Sequence, residues 1–376
     1  PGFLPRGFNL YTINYTRRDW TMIGNLDHTR EAIVDPRGVV TPWFDGWSLD
    51  VWIEHDGKLI APSRLRDDEI EQSLYENLPI VVTTFRANDL RVRLESFAIE
   101  QDAREFVVEQ ITVENSTRTS RAATLYLAIR PFNPEGTSLI KNIAFHSSPT
   151  DSSLILHPSS FAVINHAPGI FLPQPDAIAC SNFDASDVAL ALPNLNGKTR
   201  VHCDAGLTTA VAAYRIELGA GQSKTLTALM PLEREELDDD DEFHVSSFVV
   251  RPSSNSLDQT VALWRAELAR GMCVRLPDEK LQAAFDANKA FLLLLADGDT
   301  ITPGPFTYHQ FWFRDAAYLL NAFDKLGYHA EARAVIEKFP RRLQKDGYLR
   351  ATEGEWDSNG AAIWAMVEHA RLSGNT

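Results

Sequence analysis

A large two-sheet β-sandwich followed by a helical second domain is the fold class that this 376-residue sequence predicts. Three observations predict it. Short β-rich runs separated by turn signals fill the chain to about residue 232. An acidic and then Pro/Ser-rich stretch interrupts the pattern. From Leu257 onward the apolar spacing is helical.

The β half is read from its runs. Leu78 to Phe85 is β-rich, and Leu90, Val92, Leu94, Phe97 and Ile99 alternate with one slip. Phe106 to Val113, Ala123 to Ile129, Thr209 to Leu218 and Lys224 to Leu232 follow. Turns are marked by His55-Asp56-Gly57-Lys58, Ala87-Asn88-Asp89, Asn133-Pro134-Glu135-Gly136 and Gly219-Ala220-Gly221. So many strands exceed one small immunoglobulin-like unit, so the sandwich is a large one. Ala32-Ile33-Val34 and Val39-Val40 read as two short strands around the turn Asp35-Pro36-Arg37-Gly38. Trp43, Phe44 and Trp47 read as sandwich core.

Glu233 to Glu242 carries four consecutive aspartates, Asp238 to Asp241. A metal site is one reading of them; a solvated loop or helix start is the preferred one. Arg251 to Ser256 reads as a linker. A connecting helix then runs from Leu257 to Gly271, with Val261, Leu263, Trp264 and Leu268 apolar. Pro277-Asp278-Glu279 opens the next helix, with proline in the first turn and acids at the positive dipole end; it runs to about Ala296 and Gly298 closes it. Three further helices are expected over 316–326 with Gly327 as the stop, over 330–343, and over 359–372 with Gly374 as the stop.

Composition bounds the function. With 44% hydrophobic and 23% charged residues the chain has ample core material. A net charge of −15 disfavours nucleic acid as a partner. It suits a soluble enzyme acting on neutral substrates, although solubility alone also accounts for it. The longest aliphatic run, Phe291 to Ala296, is far short of the roughly 20 residues of a membrane span, so no membrane association is expected. Cys180, Cys203 and Cys273 are too widely spaced for a compact zinc motif and odd in number, which predicts a reducing, cytoplasmic setting. The chain begins at Pro1 without a methionine, and the expectation is that the natural start lies upstream.

Two stretches carry chemistry. Pro303 to Asp315 holds five aromatics, His309, Arg314 and Asp315 immediately before a helix. Pyranoses offer apolar C–H faces to aromatic planes and hydroxyl rims to charged forks. Arg314 and Asp315 can therefore serve one sugar from one helix start. The plainer alternative makes Asp315 a helix cap, Phe311 and Phe313 core, and Arg314 the partner of an acid elsewhere. The second stretch, Glu353 to Gly360, also precedes a helix. Its plainer alternative is an Asp or Ser cap with Trp356 packed beneath. In a toroid of paired helices such loops converge at one end, which would place Arg314, Asp315, Trp356 and Asp357 around a common pit.

Phe311-Trp312-Phe313-Arg314-Asp315-Ala316-Ala317-Tyr318, followed by Glu355-Trp356-Asp357-Ser358-Asn359-Gly360-Ala361-Ala362-Ile363-Trp364-Ala365, resembles the first two hairpins of six-hairpin glycosidases, glucoamylases and glycogen-debranching-type enzymes in particular. Ile23 to Leu26, Thr29 to Gly38 and Trp43 to Ser48 resemble the opening of the prokaryotic glucoamylase sandwich. The resemblance implies a β-supersandwich over 1–250, a linker with a helix over 251–276, and the first part of an (α/α)6 barrel over 277–376. It implies a glycoside hydrolase acting on an oligo- or polysaccharide, with α-glucosidic bonds cleaved by inversion and no cofactor required. Arg314 and Asp315 would hold the hydroxyls of the terminal sugar, and Trp312 and Trp356 would supply stacking surface. Tyr308, His309 and Asp357 would complete the pocket. Inversion needs two carboxylates about 6.5–9.5 Å apart. The resemblance places the general acid and base beyond Thr376, with Glu353 and Glu355 as outside candidates. A barrel with a third of its helices would expose broad apolar faces, and truncation of the sequence is the expected reason. An inverting sugar phosphorylase and a noncatalytic carbohydrate-binding protein are the two rival readings; the oligomeric state is not addressed by any motif.

Overall fold

The computed structural model describes residues 19–43, 46–147, 160–235, 256–306, 308–352 and 354–374. Phe44, the aspartates 238–241, the linker over 251–255, Thr307 and Glu353 lie outside the described residues. The chain divides into two compact units. One comprises residues 1–23, 32–75 and 80–256; the other comprises 24–31, 76–79 and 257–376.

The first unit is built on two antiparallel sheets. In one, the strands Thr21–Gly24, Glu31–Val34, Val40–Thr41, Ser48–His55, Arg121–Arg130, Thr209–Leu218 and Ala177–Ser181 follow in that spatial order, with Lys58–Ile60 paired to Ser48–His55. In the other the order is Arg200–His202, Asn142–Ser147, Ser160–Ile164, Ala167–Leu172, Ser223–Pro231, Arg104–Asn115, Leu90–Gln101, Val81–Ala87 and Ile70–Leu74. The strong sequence runs all become strands, several within one or two residues of the expected ends. The weaker ones, Ser160–Ile164 and Ala167–Leu172 among them, are too short or too Pro/Gly-interrupted to announce themselves.

Period-two alternation decides what each face buries. Leu49, Val51 and Ile53 enter the main core beside Leu125, Leu127 and Ile129. Trp52, Tyr126 and Ala128 enter a second cluster with Val188, Ala189 and Leu192. Each fully buried large aliphatic side chain contributes about 1.5–3 kcal/mol. Trp47 is core, as expected, at 2% exposure, and Trp43 packs against that core while its indole N–H donates to the Pro231 carbonyl.

The slip in the Leu90–Ile99 alternation has a physical meaning. The register of Leu90–Gln101 against Arg104–Asn115 runs unbroken. Ser96, not Phe97, shares the face of Leu94 and Ala98, opposite Glu109, which shares the face of Val107 and Ile111. A polar pair thus occupies a core position where the alternation predicts an apolar one.

One buried charge pair lies elsewhere in this unit. Arg130 and Asp187 are fully enclosed and joined by two hydrogen bonds, one of 2.6 Å from Nη1 to Oδ1. Asp187 Oδ1 also accepts from the Ala189 N–H at 2.9 Å, capping the 3-10 turn Val188–Leu190. Arg130 lies over Trp52, its Cζ 5.1 Å from the ring centroid.

The second unit holds five α-helices among the described residues: α1 Ser256–Arg270, α2 Glu279–Leu294, α3 Phe313–Leu326, α4 His329–Ile336 and α5 Ser358–Ser373. Asp278 caps α2 by accepting from the Leu281 N–H at 2.9 Å, so Pro277 precedes the cap instead of standing in the first turn. Leu295 ends α2; Gly298 serves the turn between the short strands Ala296–Asp297 and Thr300–Ile301 instead. Gly327 and Gly374 stop α3 and α5 in the left-handed conformation, as expected. The helix expected over 330–343 is shorter. α4 ends at Ile336, and Pro340, which lacks an N–H, starts a separate 3-10 turn over Phe339–Arg342. α3 and α5 pack together, with Ala316 and Ala317 buried on α3 and Ala362 and Ala365 buried on α5. Ile363, Trp364, Met366 and Val367 of α5 are exposed, and the Trp364 ring meets Tyr318 of α3 at 5.7 Å between centroids.

Candidate functional site

The loops before α3 and α5 meet. Trp312 is the N-cap residue of α3, with extended backbone and no side-chain cap bond, so Phe313, Arg314 and Asp315 form the first turn. Asp315 therefore adds its charge to the first turn and is not the cap. Asp357 is the N-cap residue of α5, and its side chain does not cap either. It faces Arg314, whose Nη1 donates to Asp357 Oδ2 at 2.7 Å. Both side chains are about half exposed. This hydrogen bond pulls the Asp357 carboxyl below the usual range and pushes the Arg314 guanidinium above its own. Asp357 is therefore a fixed anion, and Arg314 keeps donors to spare beyond that one bond.

Glu355 binds the two loops together from beneath. It is 3% exposed, and its carboxylate accepts from the Arg314 N–H and the Ala351 N–H, both at 3.3 Å. The motif reading weighed Glu355 as a proton-transfer candidate; its place is that of a buried brace. Ser358 Oγ donates to the Leu349 and Glu355 carbonyls, and Asn359 Oδ1 accepts from the Leu349 N–H at 2.7 Å. These small polar groups fasten the loop over 343–357 to the start of α5. Nothing in their sequence spacing marks them, because their partners are backbone atoms.

The aromatics divide. Phe311 is 7% exposed and Phe313 is fully buried; the two rings meet edge-on at 5.0 Å and pack on Phe339, so both are core. Arg342 lies over Phe311 with Cζ 4.0 Å from its centroid. Trp312 is half-buried, and its indole N–H has no acceptor among the described residues. Trp356 is 76% exposed, which rules out the packed-beneath alternative. Arg350 lies over it, with Tyr348 on the same guanidinium. Sequence reasoning missed Arg342, Tyr348 and Arg350; a run of aromatic and arginine residues before the second motif was the only available signal.

Tyr308 and His309 are not drawn into the Arg314–Asp357 pair. Tyr308 is 60% exposed. His309 Nδ1 lies 3.3 Å from the Gly304 carbonyl and 3.8 Å from Glu31 Oε2. Among the described residues no hydrogen bond or ion pair joins either of them, or Asp315, to Arg314 or Asp357 through a side chain. No group of three or more His, Cys, Asp or Glu side chains among the described residues is placed to hold a metal ion.

No protein-family model and no curated protein sequence matches the chain. Solved structures do. A bacterial glucoamylase complexed with acarbose aligns with a TM-score of 0.61 at 11% identity, over 98% of this chain and 59% of the other. The fold is glucoamylase-like. A putative kojibiose phosphorylase from the human microbiome aligns more weakly, with a TM-score of 0.49 at 9% identity over 94% of this chain and 50% of the other. The GH92 glycosyl hydrolase ccman5 aligns with a TM-score of 0.42 at 10% identity. This chain thus spans about three fifths of the glucoamylase whose fold it shares. The likeness reaches across both the sandwich and the helices, a β domain followed by helices. Among the described residues no helix is long and apolar enough to cross a membrane.

Proposed function

We propose that this protein belongs to a glycoside hydrolase that cleaves α-glucosidic bonds in oligo- or polysaccharides by inversion, and that the α3 and α5 loops form its sugar pocket. The observation that carries the reading is the pairing of Arg314 with Asp357 at the starts of two packed helices. A guanidinium already anchored by one carboxylate presents its remaining N–H donors in a fixed plane, suited to two adjacent hydroxyls. Asp315 supplies an acceptor one residue on. Trp312, two residues before Arg314, and Trp356, next to Asp357 in the chain, supply apolar surface for the C–H face of a pyranose. Tyr308 and His309 serve the outer part of the pocket. The glucoamylase that shares the fold was captured with acarbose, which agrees with a sugar ligand.

Asp315 and Asp357 are positioning groups in this reading. A general acid needs a raised pKa, and Arg314 drives Asp357 the other way. Asp357 is therefore not the proton donor, and this reading assigns the acid and the base to other carboxylates.

The test is calorimetric titration of the protein with maltoheptaose. Arg314→Ala should weaken binding at least tenfold, because it removes charge-assisted hydrogen bonds to the sugar. It should shift the melting midpoint little, since the ion pair it breaks is half exposed. Unchanged affinity with a large loss of stability would make Arg314 a structural residue and sink the reading. Turnover is assayed in parallel, with and without inorganic phosphate, and phosphate-dependent cleavage would point to a phosphorylase instead.

A further inference from the structure

Trp356 is the most exposed large hydrophobic side chain of the helical unit at 76%, yet it is not loose. The Arg350 guanidinium lies over one side of its ring, Cζ 5.5 Å from the centroid. The same guanidinium lies 5.0 Å from the centroid of Tyr348. Arg350 is itself tethered twice: its Nη2 lies 3.1 Å from Asp346 Oδ2, and its backbone N–H donates to the Arg342 carbonyl at 3.2 Å. The loop that carries it is fastened to α5 through Leu349 and to Glu355 through Ala351. The guanidinium is thus a fixed plate beside the indole, on a side chain 29% exposed.

A lone exposed tryptophan needs no explanation. This one directly precedes Asp357, the residue that holds Arg314. One face is taken by a cation, so the opposite face is the one left to solvent. Cation–π attraction favours the arrangement without any ligand. Holding the ring in place before binding removes part of the ordering cost that a ligand would otherwise meet.

We propose that Arg350 is a positioning residue that fixes the Trp356 indole by one face, so that the other face stacks a gluco-configured pyranose of a neutral oligosaccharide. The inference rests on the sugar-pocket reading above and goes beyond it by naming the residue that aims the stacking surface. Gluco-configured rings fit because their hydroxyls are equatorial and both ring faces are therefore lined by C–H bonds. An axial hydroxyl on the stacking face would lift the ring from the indole. Arg350 touches no sugar; it acts through Trp356.

The experiment is a double-mutant cycle read by titration with maltoheptaose. Trp356→Ala should weaken binding at least tenfold, and Arg350→Ala about three- to tenfold. The double variant should bind within about twofold of W356A alone, because the arginine has nothing left to position. Arg350→Lys keeps the charge and loses the planar plate, and its affinity should fall between wild type and R350A. Should R350A lower the melting midpoint, R350K carries the cycle in its place. Independent, multiplying losses would mean that Arg350 acts on the ligand or the fold by another route, and would overturn the proposal. So would wild-type affinity in R350A. Binding that depends on Arg314 but ignores Trp356 overturns this proposal and leaves the pocket. A wild-type protein that binds no maltoheptaose removes the pocket reading and this inference with it.

Discussion

Glu109 sits in the sandwich core opposite Ser96, whose hydroxyl donates to its Oε2 at 2.5 Å. Burial, with the nearby Glu95 charge adding to it, pushes this carboxyl up to about 8. Asp50, on the other sheet, is pushed up by burial to about 7. Both raised values act in one direction. The folded state holds protons that the unfolded chain releases near pH 4, so stability falls as pH rises towards the folded pKa. Both still titrate between pH 7 and 8, with Glu109 carrying the larger share. Glu109→Gln, which keeps the shape and cannot ionise, should flatten the stability profile there. The slope it removes is on the order of 1.4 kcal/mol per pH unit at its steepest. Urea unfolding at pH 6, 7 and 8 measures it, and parallel profiles for the two proteins would show that Glu109 is not the proton carrier. No local pattern announces this. Glu109 reads as an ordinary outward-facing polar residue until the register puts it on the inner face.

Helix ends were easier to read than helix middles. Gly327 and Gly374 are legible as stops because a left-handed residue is needed where a helix turns away, and glycine adopts it without steric penalty. Gly360 is different: it lies exposed inside α5, and a Cβ there would meet nothing within 4 Å. Two substitutions should therefore move stability in opposite directions. Gly360→Ala should stabilise by about 0.5–1 kcal/mol through the lower entropy cost of ordering alanine. Gly327→Ala, at φ 87°, should destabilise by about 1 kcal/mol or more. Thermal melts of both variants test this, and a matching sign would refute the backbone argument. The overlong third helix in the sequence reading has the converse cause. Its apolar spacing continues through Phe339, but Pro340 breaks the ladder of N–H donors at that point.

The thiols test the protein's burial as a whole. Cys180 and Cys203 are buried, Cys273 is exposed, and none of the three is in a disulfide. Burial also raises the Cys180 pKa to about 12, which keeps it a thiol at neutral pH. Native protein should therefore titrate one thiol rapidly with an aromatic disulfide reagent, and all three in denaturant. Rapid reaction of two or three in the native state would contradict the packing around Cys180 or Cys203.

The order of sandwich before helices, the positions of the strongest strands, and the two pre-helical motifs were all present in one-dimensional form. Each rests on a period or a turn preference that spans a few residues. Partnership was not. The strand Arg121–Arg130 lies between Ser48–His55 and Thr209–Leu218, and no local signal carries that choice. Arg314 and Asp357 stand 43 residues apart, and only the packing of α3 on α5 brings the guanidinium to the carboxylate. The same packing buries Glu355 as a brace and leaves Trp356 exposed on Arg350, assignments that residue type alone left open. Propensity is a property of neighbours along the chain, whereas burial, charge pairing and the state of a buried carboxyl depend on neighbours in space.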